Sequence, residues 1–92
     1  MLSWHEDIIQ KFYTQLRHYL TRTKEIVDMM LQREMLTFEE HERLHSINNL
    51  YVVNENLLKL LLEKSSDAYN CFLEALRFHN QTHLFELLHT SG

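Results

Sequence analysis

The chain has 92 residues, which make one domain with a core of its own but leave little room for a deep substrate cleft. Its net charge of -4 argues against nucleic-acid binding, and the lack of a long apolar run or a basic-flanked leader argues against a membrane segment or signal peptide. Proline is absent and Gly92 is the only glycine, which favours an all-α chain over tight β-hairpins, and the one cysteine is compatible with a reducing cytoplasm.

The first predicted helix carries one apolar stripe, and a capping-box spacing between Ser3 and Glu6 marks its start. The stripe and the residues that widen it are Trp4, Ile8, Ile9, Phe12, Tyr13, Leu16, Tyr19 and Leu20. No glycine or proline marks a bend, so the sequence leaves open whether this helix is bent. Thr21-Arg22-Thr23 is a polar break, and a second helix then runs from about Ile26 to Arg33 or Glu34.

A second capping box, Thr37 with Glu40, predicts the start of a third helix. This short helix runs through Leu44 toward Ile47 and has few apolar residues, as expected of a peripheral helix. Asn48-Asn49 ends it, and Tyr51-Val52-Val53 leads into the fourth helix.

The fourth helix is so rich in leucine that it has no polar face wide enough for a surface position. Its leucines are Leu57, Leu58, Leu60, Leu61 and Leu62. We therefore expect the other helices to surround it. Side-chain oxygens of Ser65-Ser66-Asp67 can cap a fifth, amphipathic helix that continues to His79. After Asn80-Gln81, leucines at helical spacing predict a final helix of two to three turns.

Four segments of the chain form a recognisable pattern: Met35-Leu36-Thr37-Phe38-Glu39-Glu40, Lys64-Ser65-Ser66, Phe72-Leu73-Glu74-Ala75-Leu76 and His83-Leu84-Phe85-Glu86-Leu87-Leu88. Their order and residue pattern resemble the caspase recruitment domain, a branch of the death-fold superfamily. The resemblance implies an all-α, six-helix antiparallel bundle with Greek-key topology, a death fold. Death-effector and pyrin domains share six helices and are the alternatives. We expect a single domain over residues 1–92 that is the N-terminal module of a longer protein.

One motif has the form of a catalytic site. His41-Glu42-Arg43-Leu44-His45 satisfies H-E-x-x-H, which on a helix holds zinc between two imidazoles with the glutamate as general base. A zinc protease also needs a third ligand and a substrate cleft, for which a small helical domain has little room. With seven histidines, a pair four residues apart arises readily by chance. We therefore expect no metal, no cofactor and no catalytic residue, and we interpret Cys71 as a structural thiol.

The charges suggest a binding function. Acidic residues dominate the second and third helices: Glu25, Asp28, Glu34, Glu39, Glu40 and Glu42. A thinner basic set lies on the first and fourth: Lys11, Arg17, Lys59 and Lys64. Recruitment domains associate by setting such an acidic face against a basic face of a partner, so the resemblance implies docking on another such domain in apoptotic or inflammatory signalling. Opposed charges of this kind fix orientation and steer encounter.

Val52-Val53-Asn54-Glu55-Asn56 stands where many family members have basic residues, so the acidic face is the stronger candidate. This favours an adaptor or scaffold rather than the recruited caspase, with a caspase, adaptor or scaffold domain as partner. Faces that do not close on themselves also generate homo-oligomers or filaments. The competing interpretation is a generic helical module that holds an amphipathic helix in a groove.

Overall fold

The computed structural model describes residues 4–91, and in this range the chain forms helices and no strand. The helices are α1 (Trp4–Lys11), α2 (Tyr13–Tyr19), α3 (Thr23–Gln32), α4 (Phe38–His45), α5 (Leu50–Glu63), α6 (Ser66–Phe78) and α7 (Thr82–Ser91). The all-α class is therefore confirmed. The described residues hold seven helices where six were expected, because the predicted first helix is divided at Phe12.

The first predicted helix, for which the sequence left a bend open, is interrupted at Phe12. Phe12 has φ -106° and ψ 16°, outside the helical range, and it separates α1 from α2. Helical hydrogen bonds nevertheless continue across it: the N–H of Phe12 donates to the carbonyl of Ile8 at 3.1 Å, and Leu16 donates to Phe12 at 2.9 Å. The capping box expected at Ser3 lies outside the described residues.

The leucine-rich helix α5 is central, as its composition predicted. It buries Val53, Leu57, Leu58 and Leu61 almost completely and packs against α1, α2, α3 and α4. It begins earlier than the leucine run, because the Asn49 side chain caps it by accepting a hydrogen bond from the N–H of Val52 at 3.1 Å. Tyr51-Val52-Val53, expected as a lead-in, are thus helical.

The helix caps only partly follow the sequence signals. The Thr37 box is complete, since Thr37 Oγ1 accepts from the N–H of Glu40 at 3.1 Å and Glu40 Oε1 accepts from the N–H of Thr37 at 2.9 Å. Ser65 occupies the N-cap of α6, but its side chain makes no capping hydrogen bond; its carbonyl accepts from the N–H groups of Ala68 and Tyr69 instead. The expected side-chain cap at that position is therefore wrong.

Tyr69 is the largest side chain in the core, and its hydroxyl has no hydrogen-bond partner among the described residues. The ring lies against the rings of Trp4 and His5, with centroid distances of 5.4 Å and 5.7 Å. Burial raises the pKa of Tyr69 to about 12. An unfolded tyrosine titrates near 10, so the folded state holds this proton more tightly over the interval between the two values.

This difference predicts alkaline destabilisation. The contribution is fully present below pH about 10 and is lost between about 10 and 12, at a slope of roughly 1.4 kcal/mol per pH unit. Urea unfolding from neutral pH to pH about 12 should therefore show a steeper loss of stability for the wild type than for Tyr69→Phe. Tyr19→Phe, at an exposed position, is the matched control. Parallel curves for wild type and Tyr69→Phe would contradict the assignment.

Candidate functional site

Helix α4 presents a polar surface to solvent because only one of its apolar side chains enters the core. Leu44 is 1% exposed, whereas Phe38 on another side of the helix is 81% exposed. Glu39, Glu42 and Arg43 are also exposed. The helix therefore sits at the periphery, as its composition predicted, and exposes an aromatic ring as well as acidic side chains.

Asp28 links α3 to α4 through two histidines. Its Oδ1 accepts hydrogen bonds from Nε2 of His41 at 2.6 Å and from Nε2 of His45 at 2.7 Å. A carboxylate oxygen can only accept, so both Nε2 atoms carry the proton in this arrangement. Burial alone would raise the pKa of Asp28, but the two histidine hydrogen bonds outweigh it and hold that pKa below its ordinary value.

Glu40 and Lys64, predicted on opposing faces, contact each other. Lys64 Nζ lies 2.7 Å from Glu40 Oε1, and the two side chains are 24% and 19% exposed. Burial would raise the pKa of Glu40, but hydrogen bonds from Lys64 and from the N–H of Thr37 together lower it. This pair joins α4 to the end of α5, so neither charge is fully available to a partner.

The other predicted acidic residues differ in their surroundings. Glu25 lies 4.0 Å from Arg22 and 3.4 Å from Nδ1 of His79. Glu34, Glu39 and Glu42 are exposed and make no ion pair within residues 4–90. The acidic surface with unpaired carboxylates is therefore smaller than the sequence suggested.

The predicted basic residues are mostly occupied within the chain. Arg17 and Lys59 share one carboxylate, with Arg17 Nε 3.5 Å and Lys59 Nζ 3.1 Å from oxygens of Glu55. The Lys59 hydrogen bond, helped by the charges of Lys59 and Arg17, lowers the pKa of Glu55. Lys11 lies on α1 with its Nζ 5.3 Å from the centre of the Phe12 ring, and it has no ion pair with any residue that the structure describes.

The one cysteine of the chain is not placed to act as a nucleophile. Cys71 is buried, and burial raises the pKa of its thiol, which disfavours the reactive thiolate. His79, a histidine on the following segment, contacts Glu25 through Nδ1 at 3.4 Å. Among the described helices, none combines the length and the apolar character needed to cross a bilayer.

The described residues thus form a small helical domain with an exposed acidic helix. A profile of the caspase recruitment domain matches residues 6–91. The chain belongs to the caspase recruitment domain family. It is also 27% identical over 88 residues to caspase-2 of Gallus gallus, a match that covers 96% of this chain and 20% of that relative.

The chain therefore spans about a fifth of the length of the caspase that it matches. A caspase recruitment domain is a protein-interaction module without catalysis, and family membership supports partnering with another such domain. Three features escaped the sequence analysis: the buried Asn54, the shared carboxylate of Glu55, and the contact of Asp28 with both histidines. The H-E-x-x-H spacing was visible, but its link to α3 was not.

Proposed function

We propose that this chain docks on the basic surface of another caspase recruitment domain through an acidic edge formed by Glu34, Glu39 and Glu42. The single observation that carries the proposal is the exposure of these carboxylates without an ion pair within residues 4–90, while three of the four predicted basic residues are paired inside the chain. Carboxylates without an internal partner keep a negative electrostatic potential at this edge, and a positively charged partner surface would be steered toward it.

Phe38 gives this edge an apolar anchor. It is 81% exposed and immediately precedes Glu39, with Glu42 one helical turn further on. Aromatic residues are enriched among the few side chains that supply most of the affinity of an interface. In the proposed complex the ring is buried in the centre, and the carboxylates at its rim set the orientation.

The same proposal places the module on the adaptor or scaffold side of an apoptotic or inflammatory complex in the cytoplasm. Lys11, Arg17 and Lys59 lie on α1, α2 and α5 and provide a weaker second face. Repeated contacts between unlike faces would build homo-oligomers or open filaments. We also propose that the helices follow the Greek-key order of a six-helix death fold, with α1 and α2 counted as one interrupted helix.

Charge reversal tests the docking proposal. Glu39→Lys with Glu42→Lys should weaken binding to the recruitment domain of the caspase-2 relative by roughly tenfold at low salt, because two exposed charge pairs worth up to about 1 kcal/mol each are lost. Binding is measured by titration calorimetry, and helix content by circular dichroism. Asp28 and Glu40 are left intact because their carboxylates hold contacts within the domain.

The matched control is Glu63→Lys with Glu86→Lys, which changes the net charge equally at exposed positions on α5 and α7. It should bind as the wild type does. Equal affinities for the two double variants would contradict the proposal. Raising the ionic strength from about 0.1 M to 1 M shortens the Debye length from about 10 Å to 3 Å and should weaken the wild-type complex.

The alternative is a groove that holds an amphipathic helix. The observation that favours it is an apolar depression of about 270 Å³ between the starts of α3 and α5, lined in part by Thr23, Ile47, Leu50 and Val53. Binding of a single helical peptide that is insensitive to salt, and unchanged by the Glu39 and Glu42 substitutions, would support this second function.

A further inference from the structure

Three metal-binding side chains meet where α3 packs on α4. Their donor atoms, one oxygen of Asp28 and one ring nitrogen each of His41 and His45, all lie within 4.8 Å of one another. The two imidazoles are four residues apart on one helix, which places them on the same face with ring centroids 4.2 Å apart. Asp28 comes from a different helix, so the three donors converge from two elements.

This donor set suits zinc better than a hard cation. Imidazole nitrogen and carboxylate oxygen are standard zinc ligands, whereas calcium and magnesium prefer sites made of oxygen alone. Three protein ligands with a fourth position open to solvent is an arrangement that zinc proteins use repeatedly. The side chains of His41, His45 and Asp28 are 23%, 34% and 51% exposed, so an ion and its water have access.

In the present arrangement each Nε2 carries a proton, and before it can bind zinc that proton has to move to Nδ1 of the same ring or, from an imidazolium, to solvent. Both Nε2–H groups point at the same oxygen, at 2.6 Å and 2.7 Å, and occupy the space between the donors. A tetrahedral zinc with bonds of about 2.0 to 2.2 Å would separate nitrogen and oxygen by about 3.3 Å, so Asp28 has to withdraw by less than about 1 Å. Its half-exposed side chain leaves room for that movement.

We propose that Asp28, His41 and His45 bind one zinc ion and that the ion ties α3 to α4. This goes beyond the sequence prediction of no metal, because the ligand that the H-E-x-x-H spacing lacked is provided thirteen residues before His41 by another helix. Glu39 and Glu42 lie on the same helix as the two histidines and add negative charge to it, which favours a cation. No catalytic role for Glu42 is part of the proposal.

Titration calorimetry with zinc chloride on the untagged chain near neutral pH tests the proposed zinc site. We expect one zinc ion per chain in the wild type. His41→Gln with His45→Gln should weaken zinc binding by at least about 100-fold, because removing even a residue that only supports a ligand weakens metal binding by up to about 100-fold. Asp28→Asn should also bind zinc more weakly than the wild type, because an amide oxygen is neutral and a poorer zinc ligand than a carboxylate oxygen. The matched control is His79→Gln with His83→Gln, the other histidine pair at the same spacing, which should bind as the wild type does.

Thermal unfolding gives an independent readout. Zinc at about 100 times its dissociation constant should raise the melting temperature of the wild type and the control by at least about 10 °C, and should leave Asp28→Asn much less affected. The proposal is overturned if wild-type protein shows no saturable binding, or if all folded variants bind equally well, the behaviour of adventitious surface histidines. Should the His41 and His45 double variant fail to fold, the comparison of Asp28→Asn with the control decides the question.

Discussion

Asn54→Ala is expected to lower the free energy of unfolding by about 3 kcal/mol, more than any surface substitution in this chain. Asn54 is fully buried on α5, and its Nδ2 donates to the carbonyls of Arg17 at 3.0 Å and Leu20 at 2.9 Å. These carbonyls end α2 and have no partner within a helix. The Asn54 Oδ1 also accepts from the buried hydroxyl of Thr23, the first residue of α3.

Alanine at this position would leave two carbonyls and one hydroxyl without their partner in the interior. Each unsatisfied buried group costs about 1 to 3 kcal/mol, and the costs within one network are not additive. Urea and thermal unfolding measure the loss, with a fall in melting temperature of more than about 10 °C.

Asn56→Ala provides the matched control for Asn54→Ala. Asn56 lies two residues further along the same helix and is half-buried, and within residues 4–90 its side chain bonds to the carbonyl of Val52 alone. Its replacement should be neutral or slightly stabilising, since alanine has the higher helix propensity. A similar, small effect of both substitutions would show that the Asn54 network does not hold α2, α3 and α5 together.

Lys64→Met is expected to cost about 2 kcal/mol, because it leaves the Glu40 carboxylate largely buried without its cation. Glu40→Gln should cost less, since glutamine at this position keeps the capping box with Thr37. The double variant should lose less than the sum of the two, with a coupling energy of about 1 kcal/mol.

Chemical denaturation of the wild type and these three variants completes the cycle. The exposed pair of Lys59 and Glu55 is the comparison, because Lys59 is 63% exposed and Lys59→Met should change stability by less than about 0.5 kcal/mol. If the effects of Lys64→Met and Glu40→Gln are additive, the coupling energy is zero and the ion pair between the two residues does not stabilise the fold.

The sequence predicted those parts of the fold that depend on local chemistry. The Thr37 capping box and the central position of α5 follow from residue spacing alone, and both are confirmed. The interruption at Phe12 could not be predicted, because no glycine or proline causes it. Asn54 was also missed, since a polar residue before a leucine run gives no sign that two carbonyls of another helix need donors.

The candidate site was less predictable than the fold. The sign of each charge follows from residue identity, but the pairing of the charges depends on which helices meet. Glu40 and Lys64 are 24 residues apart in sequence, and the hydrogen bond between them exists only because α4 packs on α5. The family resemblance therefore assigned the two residues to different faces, although they contact each other.

The exposed side of α4 is separate from the contacts that stabilise the bundle. Phe38, Glu39 and Glu42 project into solvent, whereas Leu44 and the Asn54 network lie inside. Substitutions at such exposed positions usually change stability by less than about 0.5 kcal/mol. In the proposed docking mode, partner choice would accordingly evolve on this helix with little penalty to folding.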